Sequence, residues 1–342
     1  MRSAGAIDGV VAAGDHPRAW RRCTYLEAVN LALLRALERD ERVVLLGEDI
    51  GFGGAFRATS GLLDRFGSKR VIDTPLAETA IVGAAIGMAV AGLRPIVELQ
   101  FADFVSCAYD QLVTEAAKLH YRFGIPVPLV VRAPAGAGVG AGPFHSQSPE
   151  GILAHVPGLK VVCPGTVQDA HDLLLAALED PNPVLFFEHK RLYRSLRGMV
   201  RPGLAAGQLG QALIRRPGDD VTVVTYGGTV PTCLEAAEAL AADGISVEVV
   251  DLRTVSPLDM TTVAGSVRRT GRAVIVHEDN LSHGVGAEVA ARLADQEFFA
   301  LDGPILRVAA PDCPVPFAAG LETAYLPDTS RISEAVRQCS ST

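Results

Sequence analysis

Val43-Val44-Leu45-Leu46-Gly47 carries no polar side chain in five residues. A strand with one wet face alternates apolar and polar positions, so an unbroken run of this length reads as a parallel strand covered on both faces. A helix precedes it. Thr24-Tyr25-Leu26-Glu27 is a capping box, and Leu26, Val29, Leu33, Leu34 and Leu37 follow at helical spacing, which predicts an amphipathic helix over 25–39. Runs of the same type recur at 95–101, 127–132, 159–163 and 183–187, separated by helical patterns such as 105–122 and 167–179. Alternating buried strand and helix predict an α/β fold with a doubly wound sheet.

From Ser195 to Pro217 the pattern lapses into Arg, Gly, Pro and Ala, the composition of a linker. A second series then begins, with strands expected at 221–226, 246–252, 273–277 and 305–309 and helices near 230–243, 260–269 and 285–297. A chain of 342 residues is long enough for two domains. The expected organisation is a flexible tail over 1–23, an α/β domain over 24–195, a linker over 196–214 and a second α/β domain over 215–342.

Composition narrows the function. Apolar residues make up 49% and charged residues 20%, as in a globular protein rich in buried strands. A net charge of −8, with lysine only at Lys69, Lys118, Lys160 and Lys190, predicts no nucleic-acid footprint. The longest uncharged apolar run, Thr79 to Leu93, is shorter than the ~20 residues that span a bilayer, which predicts no membrane partner. Residues 1 to 20 contain Asp8 and Asp15 and no apolar core, unlike a signal or transit peptide. The six cysteines are scattered with no C-x-x-C pair, the pattern of reduced thiols in a cytoplasmic protein, and positive charge carried almost wholly by Arg points to a GC-rich bacterial coding sequence.

Two positions stand out chemically. Glu78 opens ETAIVGAAIGMAVAGL, which holds no other charge. A carboxylate there is either a surface group complementing the helix dipole or an acid sent into a dry site. His145 closes the glycine-rich stretch Gly136-Ala137-Gly138-Val139-Gly140-Ala141-Gly142-Pro143-Phe144. Gly136, Gly138 and Ala141 fit a dinucleotide fingerprint, but Pro143 falls where the helix should be running, and the next strand ends in Cys163-Pro164 instead of an acid. That alternative is rejected. Ser148-Pro149-Glu150 is expected to start a helix, with Ser148 as its cap.

Gly47-Glu48-Asp49, Phe52-Gly53-Gly54-Ala55-Phe56-Arg57, the segment around Glu78, Gln100-Phe101-Ala102-Asp103-Phe104, His145-Ser146-Gln147-Ser148-Pro149-Glu150 and Phe186-Phe187-Glu188 occur in an order and spacing that resemble one family. It is the β subunit of the E1 component of branched-chain 2-oxoacid dehydrogenase complexes, a transketolase-like, thiamine-diphosphate-dependent decarboxylase. The resemblance runs from about Thr24 to the C-terminus and implies an N-terminal pyrimidine-binding domain and a transketolase-C-like second domain. It implies that Glu78 hydrogen-bonds the aminopyrimidine ring and favours the tautomer that takes a proton from the thiazolium carbon. Leu76, Gln100 and Phe104 match the other cofactor-facing positions, with Phe104 where branched-chain enzymes usually carry Tyr. His145 matches the active-site histidine that serves decarboxylation and transfer to a lipoyl group. Leu129, Ala177, Asp180 and Asn182 match positions that supply oxygens to a structural potassium ion. His283 stands where the family has a glycine.

The same resemblance implies partners. The superfamily binds Mg²⁺ and the diphosphate through a Gly-Asp-Gly segment with a later Asn. Gly14-Asp15-His16 and Gly218-Asp219-Asp220 do not fit it, so an α subunit is expected to supply that half of the site. The expected assembly is α2β2, passing its acyl group to the lipoyl arm of an E2 acyltransferase. A pyruvate or acetoin enzyme is the nearest alternative, and a non-catalytic scaffold on the same fold is the alternative from another class.

Overall fold

The computed structural model describes residues 20–201 and 207–341. Its first sheet is built from β2 (Val43–Gly47), β3 (Val71–Asp73), β4 (Arg94–Glu98), β5 (Val130–Ala135), β6 (Lys160–Val162) and β7 (Val184–His189), with a small ribbon of β1 (Arg21–Thr24) against β8 (Arg197–Val200) beside it. The second part holds β9 (Leu213–Arg216), β10 (Val221–Thr225), β11 (Val247–Asp251), β12 (Thr254–Ser256), β13 (Ala273–Asn280) and β14 (Leu306–Ala310). The first sheet runs β12-β6-β7-β5-β4-β2-β3, the second β14-β13-β10-β11-β9. All pairings among β2–β7 are parallel, as are those among β10, β11, β13 and β14. The α/β reading holds.

Helix 25–39 forms as predicted. The Thr24 N–H donates to Glu27 Oε2 at 2.7 Å, and the Glu27 N–H to Thr24 Oγ1 at 3.2 Å, so each satisfies an orphan donor of the first turn. Its leucines cover one face of the first sheet together with the helix Val167–Glu179. The helix Glu78–Val90 and the segment 102–123 cover the other face. That second core is continuous with Val224, Val250, Val263, Val285 and Val289 of the second sheet, so one apolar layer joins the two sheets.

Several local expectations fail for identifiable reasons. Residues 1–19 of the expected tail lie outside the described residues, but Arg21–Cys23 belong to β1, whose partner is β8. Arg197–Val200, expected within the linker, and Leu213–Arg216, across its expected end, are strands; their polar, Arg-rich sequences are edge pairings with one wet side. Residues 202–206 of that linker are outside the described residues. β12 crosses from the second part and pairs antiparallel with β6, so the first sheet is closed by a strand supplied about a hundred residues downstream of it. The expected helix 105–122 divides into a 3₁₀ stretch Ala102–Ala108, a wide-turned Gln111–Ala116 and a helix Ala117–Phe123. Ser148 is not a cap: the short helix Glu150–Ala154 starts from Pro149 with no side-chain cap bond.

Three adjacent strands are tied by one cation. Arg132 on β5 is 1% exposed and donates from Nη1 to Glu98 Oε2 at 2.5 Å. Its Nε and Nη2 meet Glu188 Oε1 and Oε2 at 2.6 and 2.8 Å, a bidentate pair, and the Tyr193 hydroxyl donates to Glu188 at 2.6 Å. Removing the cation would strand two buried carboxylates. Arg132→Met is therefore expected to lower stability by about 3–5 kcal/mol, with partial recovery when Glu98→Gln and Glu188→Gln are added. Thermal unfolding of the three proteins checks this, and an unchanged midpoint for the single variant would refute it.

Candidate active site

In an open parallel sheet the ligand crevice lies beyond the carboxyl ends of the strands, where the strand order reverses. From β2 the chain goes to β3 on one side and then to β4 on the other, so the reversal lies between β2 and β4. Glu48 and Asp49 follow β2, Gln100 follows β4, and Glu78 begins the helix that follows β3. Two of the expected positions, Glu78 and Gln100, therefore lie at the ends of neighbouring strands together with Glu48 and Asp49, to which the sequence pattern assigned no role.

Glu78 is 8% exposed, and the helix it opens has no side-chain cap at Ala77. Of the two roles open to such an acid, burial favours the dry site over the surface cap. Beside it lies a group to which the sequence pattern assigned no role. Glu48 is buried and its Oε1 has no hydrogen-bond partner among the described residues. Burial raises the Glu48 carboxyl above the usual range, the charges of Glu78 and Asp49 add to the rise, and a bond from the Ala77 N–H works against it. Gln100 Nε2 donates to Asp49 Oδ2 at 3.4 Å, and the Gly51 N–H to Asp73 Oδ1 at 2.7 Å. The available signal for Glu48 was a Gly-Glu-Asp string directly after a fully buried strand.

A second cluster forms around His145. Its ring meets Phe101 edge-on at 4.6 Å between centroids and Phe104 at 5.5 Å, each with planes at 79°. Phe101 and Phe104 touch at 5.7 Å, and Phe56 extends the row at 5.5 Å from Phe101. Phe104 and His145 are thus in one cluster, while Glu78 lies with Glu48. Leu76 is in neither: it is 79% exposed, as is Phe52 at 76%. Both stand next to elements of the crevice in the chain, Phe52 after β2 and Leu76 just before the helix that Glu78 opens. On the helix that Glu78 opens, Thr79, Ala80, Ala84 and Gly87 are exposed along a face of small side chains that ends at the exposed Val90.

Beneath the His145 loop is a buried charged group that the sequence did not reveal. Lys190 Nζ stands 5.8 Å from the Phe101 ring centre, and burial pushes its ammonium down to about 8 against the pull of Asp103, Glu278 and Glu322. Glu278 Oε2 meets His189 Nε2 at 2.7 Å. Burial alone would raise the Glu278 carboxyl, but His189 and the Ala137 N–H bring it below the usual range. Asp103 accepts from the Gln147 N–H at 3.3 Å.

The proposed potassium ligands gather at the other end of the sheet, before the starts of β5 and β7. The Leu129 carbonyl accepts from Val184 at 2.8 Å and that of Ala177 from Asp180 at 3.3 Å. Asp180 Oδ1 takes two bonds from Asn182, its Oδ2 takes the Lys160 ammonium, and Asn182 Oδ1 meets His120 Nδ1 at 2.6 Å. His283 adopts a φ of +63°, the left-handed region that a glycine would enter without cost. Gly218-Asp219-Asp220 leads into β10, where both aspartate N–H groups bond Ser246 O.

Glu150 gives a pH test of this architecture. Burial, with Asp279 second, raises its carboxyl to about 8, and burial raises Asp279 to about 6. The folded chain holds the Glu150 proton where the unfolded chain has released it, so stability falls as pH rises from the usual carboxyl range to about 8. The slope approaches about 1.4 kcal/mol per pH unit while only unfolding releases that proton. Glu150→Gln should flatten the decline in unfolding midpoint across that window. A parallel decline in both proteins would place the cause elsewhere.

The sequence and the fold match known proteins across nearly the whole chain. Residues 21–195 match the family described as transketolase, pyrimidine binding domain, and residues 210–332 match transketolase, C-terminal domain. The 2-oxoisovalerate dehydrogenase subunit beta of Bacillus subtilis is 48% identical over 319 residues, covering 92% of this chain and 98% of that one. The pyruvate dehydrogenase E1 component subunit beta of the same organism is 45% identical over 318 residues, 92% of this chain and 98% of that one. The acetoin:2,6-dichlorophenolindophenol oxidoreductase subunit beta of Cupriavidus necator is 45% identical over 331 residues, 93% and 97%. A solved split-gene transketolase, described as an inactive beta4 tetramer, shares the fold at a TM-score of 0.75 and 22% identity, covering 93% of this chain and 98% of that one.

Proposed function

This chain belongs to the family of 2-oxoacid dehydrogenase E1 β subunits, and we propose that it is the subunit supplying the aminopyrimidine side of a thiamine-diphosphate site for oxidative decarboxylation of branched-chain 2-oxo acids. The observation that carries this reading is the buried Glu78 carboxylate at the β2/β4 switch point, paired with a Glu48 oxygen that has no partner among the described residues. An unpartnered buried oxygen beside a buried acid suits a site whose ligand brings hydrogen-bond donors. An aminopyrimidine brings them.

In this reading Glu78 would hold a ring nitrogen and Gln100 and Phe104 would flank the ring. Bound thiamine diphosphate supplies the carbon nucleophile and electron sink that a 2-oxo acid lacks. The residues of this chain do the proton work. Glu78 keeps a proton shared with the ring in a dry crevice, where a hydrogen bond to an acid is stronger than in water. His145, held edge-on by Phe101 and Phe104, presents a ring nitrogen for proton delivery during decarboxylation and acyl transfer to a lipoyl group of E2. The 2-oxoisovalerate relative shares somewhat more of this sequence than the pyruvate and acetoin ones, which supports the branched-chain substrate.

The proposal extends to an α subunit in an α2β2 assembly that holds Mg²⁺ and the diphosphate. It is supported by the exposed Leu76, Phe52 and small-residue face beside the crevice. Among the described residues no group of three or more His, Cys, Asp or Glu could hold a metal ion. A potassium ion on the oxygens of Leu129, Ala177, Asp180 and Asn182 would share Asp180 with Lys160, so its role would be structural and remote from the crevice.

Glu78→Gln should cut turnover of the α/β assembly by ~10²–10⁴-fold while leaving assembly intact, since an amide cannot exchange the proton. Steady-state assay on several 2-oxo acids with size-exclusion chromatography tests it; a variant of near wild-type activity would refute the role. The isolated chain should not bind thiamine diphosphate with Mg²⁺ in calorimetry, and adding α should create the site. Micromolar Mg²⁺-dependent binding, a level of roughly −8 kcal/mol, by this chain alone would overturn the shared-site proposal.

A further inference from the structure

The stretch from Gly136 to Gly142 alternates glycines in the left-handed region with ordinary residues: φ is +86° at Gly136, +87° at Gly138, +70° at Gly140 and +68° at Gly142. Such alternation turns successive N–H groups toward one side and makes a concave nest for an anion. Here the anion is a side chain of the same protein. Glu322, on the helix Ala319–Tyr325 of the second part, is buried. Its Oε1 accepts from the N–H groups of Gly138 at 2.8 Å, Val139 at 3.3 Å and Gly140 at 3.2 Å, and its Oε2 from Gly140 at 3.0 Å. The next amide back, Ala137, donates to Glu278 on β13.

Side chains fix the rest of the loop. A Cβ at Gly136 would run into the His189 ring, at Gly138 it would meet Arg191 Cδ at 2.9 Å, and at Gly142 Phe317 Cδ2 at 2.7 Å. Phe317 stands just before the helix that carries Glu322. The His145 N–H then donates to Gly142 O at 3.3 Å, and the ring enters the Phe101–Phe104 cluster.

We propose that Glu322 is a positioning residue for His145: its carboxylate, seated in the amide nest of residues 138–140, latches the histidine loop to the second part of the molecule and sets where the imidazole stands. Glu322 touches the backbone of the loop and acts through it. The inference rests on the function proposed above for His145. It also accounts for four left-handed glycines in a loop whose sequence departs from the dinucleotide fingerprint, and for a nest already filled by a carboxylate of the chain.

The α/β assembly with the full chain is the object to test, using Glu322→Ala, Glu322→Gln and His145→Ala. Amide exchange of peptides spanning 136–148 should quicken by at least about tenfold in Glu322→Ala and less in Glu322→Gln, which keeps the size and an acceptor oxygen. Reductive acylation should lose about tenfold or more in kcat in Glu322→Ala, with KM for the 2-oxo acid within about twofold, because a small misplacement of a reacting group is enough. In a His145→Ala background the same change should add less than about twofold, the sign of one residue acting through another. Unchanged exchange in Glu322→Ala overturns the latch, and so does an equal further loss in the His145→Ala background, which would mean a general structural role. Wild-type assembly inactive on every 2-oxo acid would instead refute the proposed function, and the exchange measurement would still decide the latch.

Discussion

The site rests on Arg132. A guanidinium with 1% of its surface exposed cannot be solvated, so its stability depends on Glu98 and Glu188 supplying the oxygens that water would have given. Those carboxylates end β4 and nearly end β7, and each anchors a loop of the crevice. Gly54 sits so tightly on Glu98 that a Cβ there would overlap the carboxylate, which places the Phe52–Arg57 loop. Glu188 takes the Tyr193 hydroxyl, and the Tyr193 ring lies 5.3 Å from Phe56 and thereby reaches the Phe56–Phe101–His145 row. One buried ion triad therefore sets the relative positions of the loops after β2, β4 and β7. It explains a polar core that hydrophobic packing alone would have excluded.

Most of the fold was legible because buried parallel strands and capped helices leave strong local marks. Val43–Gly47, with both faces covered, and Thr24–Glu27, with its reciprocal cap, needed no tertiary information. What could not be read had its cause elsewhere in the chain. Thr254–Ser256 is a strand only because Lys160–Val162 offers it an edge, and Arg197–Val200 only because Arg21–Thr24 does. In the site, Glu78 and His145 were marked by setting, one acid before an uncharged helix and one imidazole after a run of glycine. Glu48 sits in one of the strings that carried the resemblance but was given no role, and Lys190 and Glu322 lie in unremarkable ones. Their significance arises from burial and from partners far off in sequence, as when Glu322 meets Gly138 across 184 residues.

The glycine-rich loop shows how one pattern serves different chemistry depending on the residues after it. In a dinucleotide fold the glycines admit a pyrophosphate to a helix N-terminus. Here Pro143 prevents the helix, the chain continues as a loop, and the amides turned outward by four left-handed glycines meet a carboxylate supplied by the protein. Both domain families matched by the chain therefore meet at this loop, which is contributed by the first and held by the second.

Burial of Glu78 also bears on why the chain exposes what it does. A carboxylate at 8% exposure beside Glu48, whose carboxyl burial raises, is an arrangement that costs folding energy unless a ligand or partner supplies compensation. At the same edge, Leu76 stands out into solvent and the helix after Glu78 turns Ala80, Ala84 and Gly87 outward. Side chains this small let a second backbone approach closely, and an apolar rim excludes water once covered. On the proposed reading, covering that rim with the α subunit completes the dry environment that makes Glu78 an effective proton carrier. Assembly would then be coupled to chemistry through the dielectric around one acid, with no conformational change required in this chain.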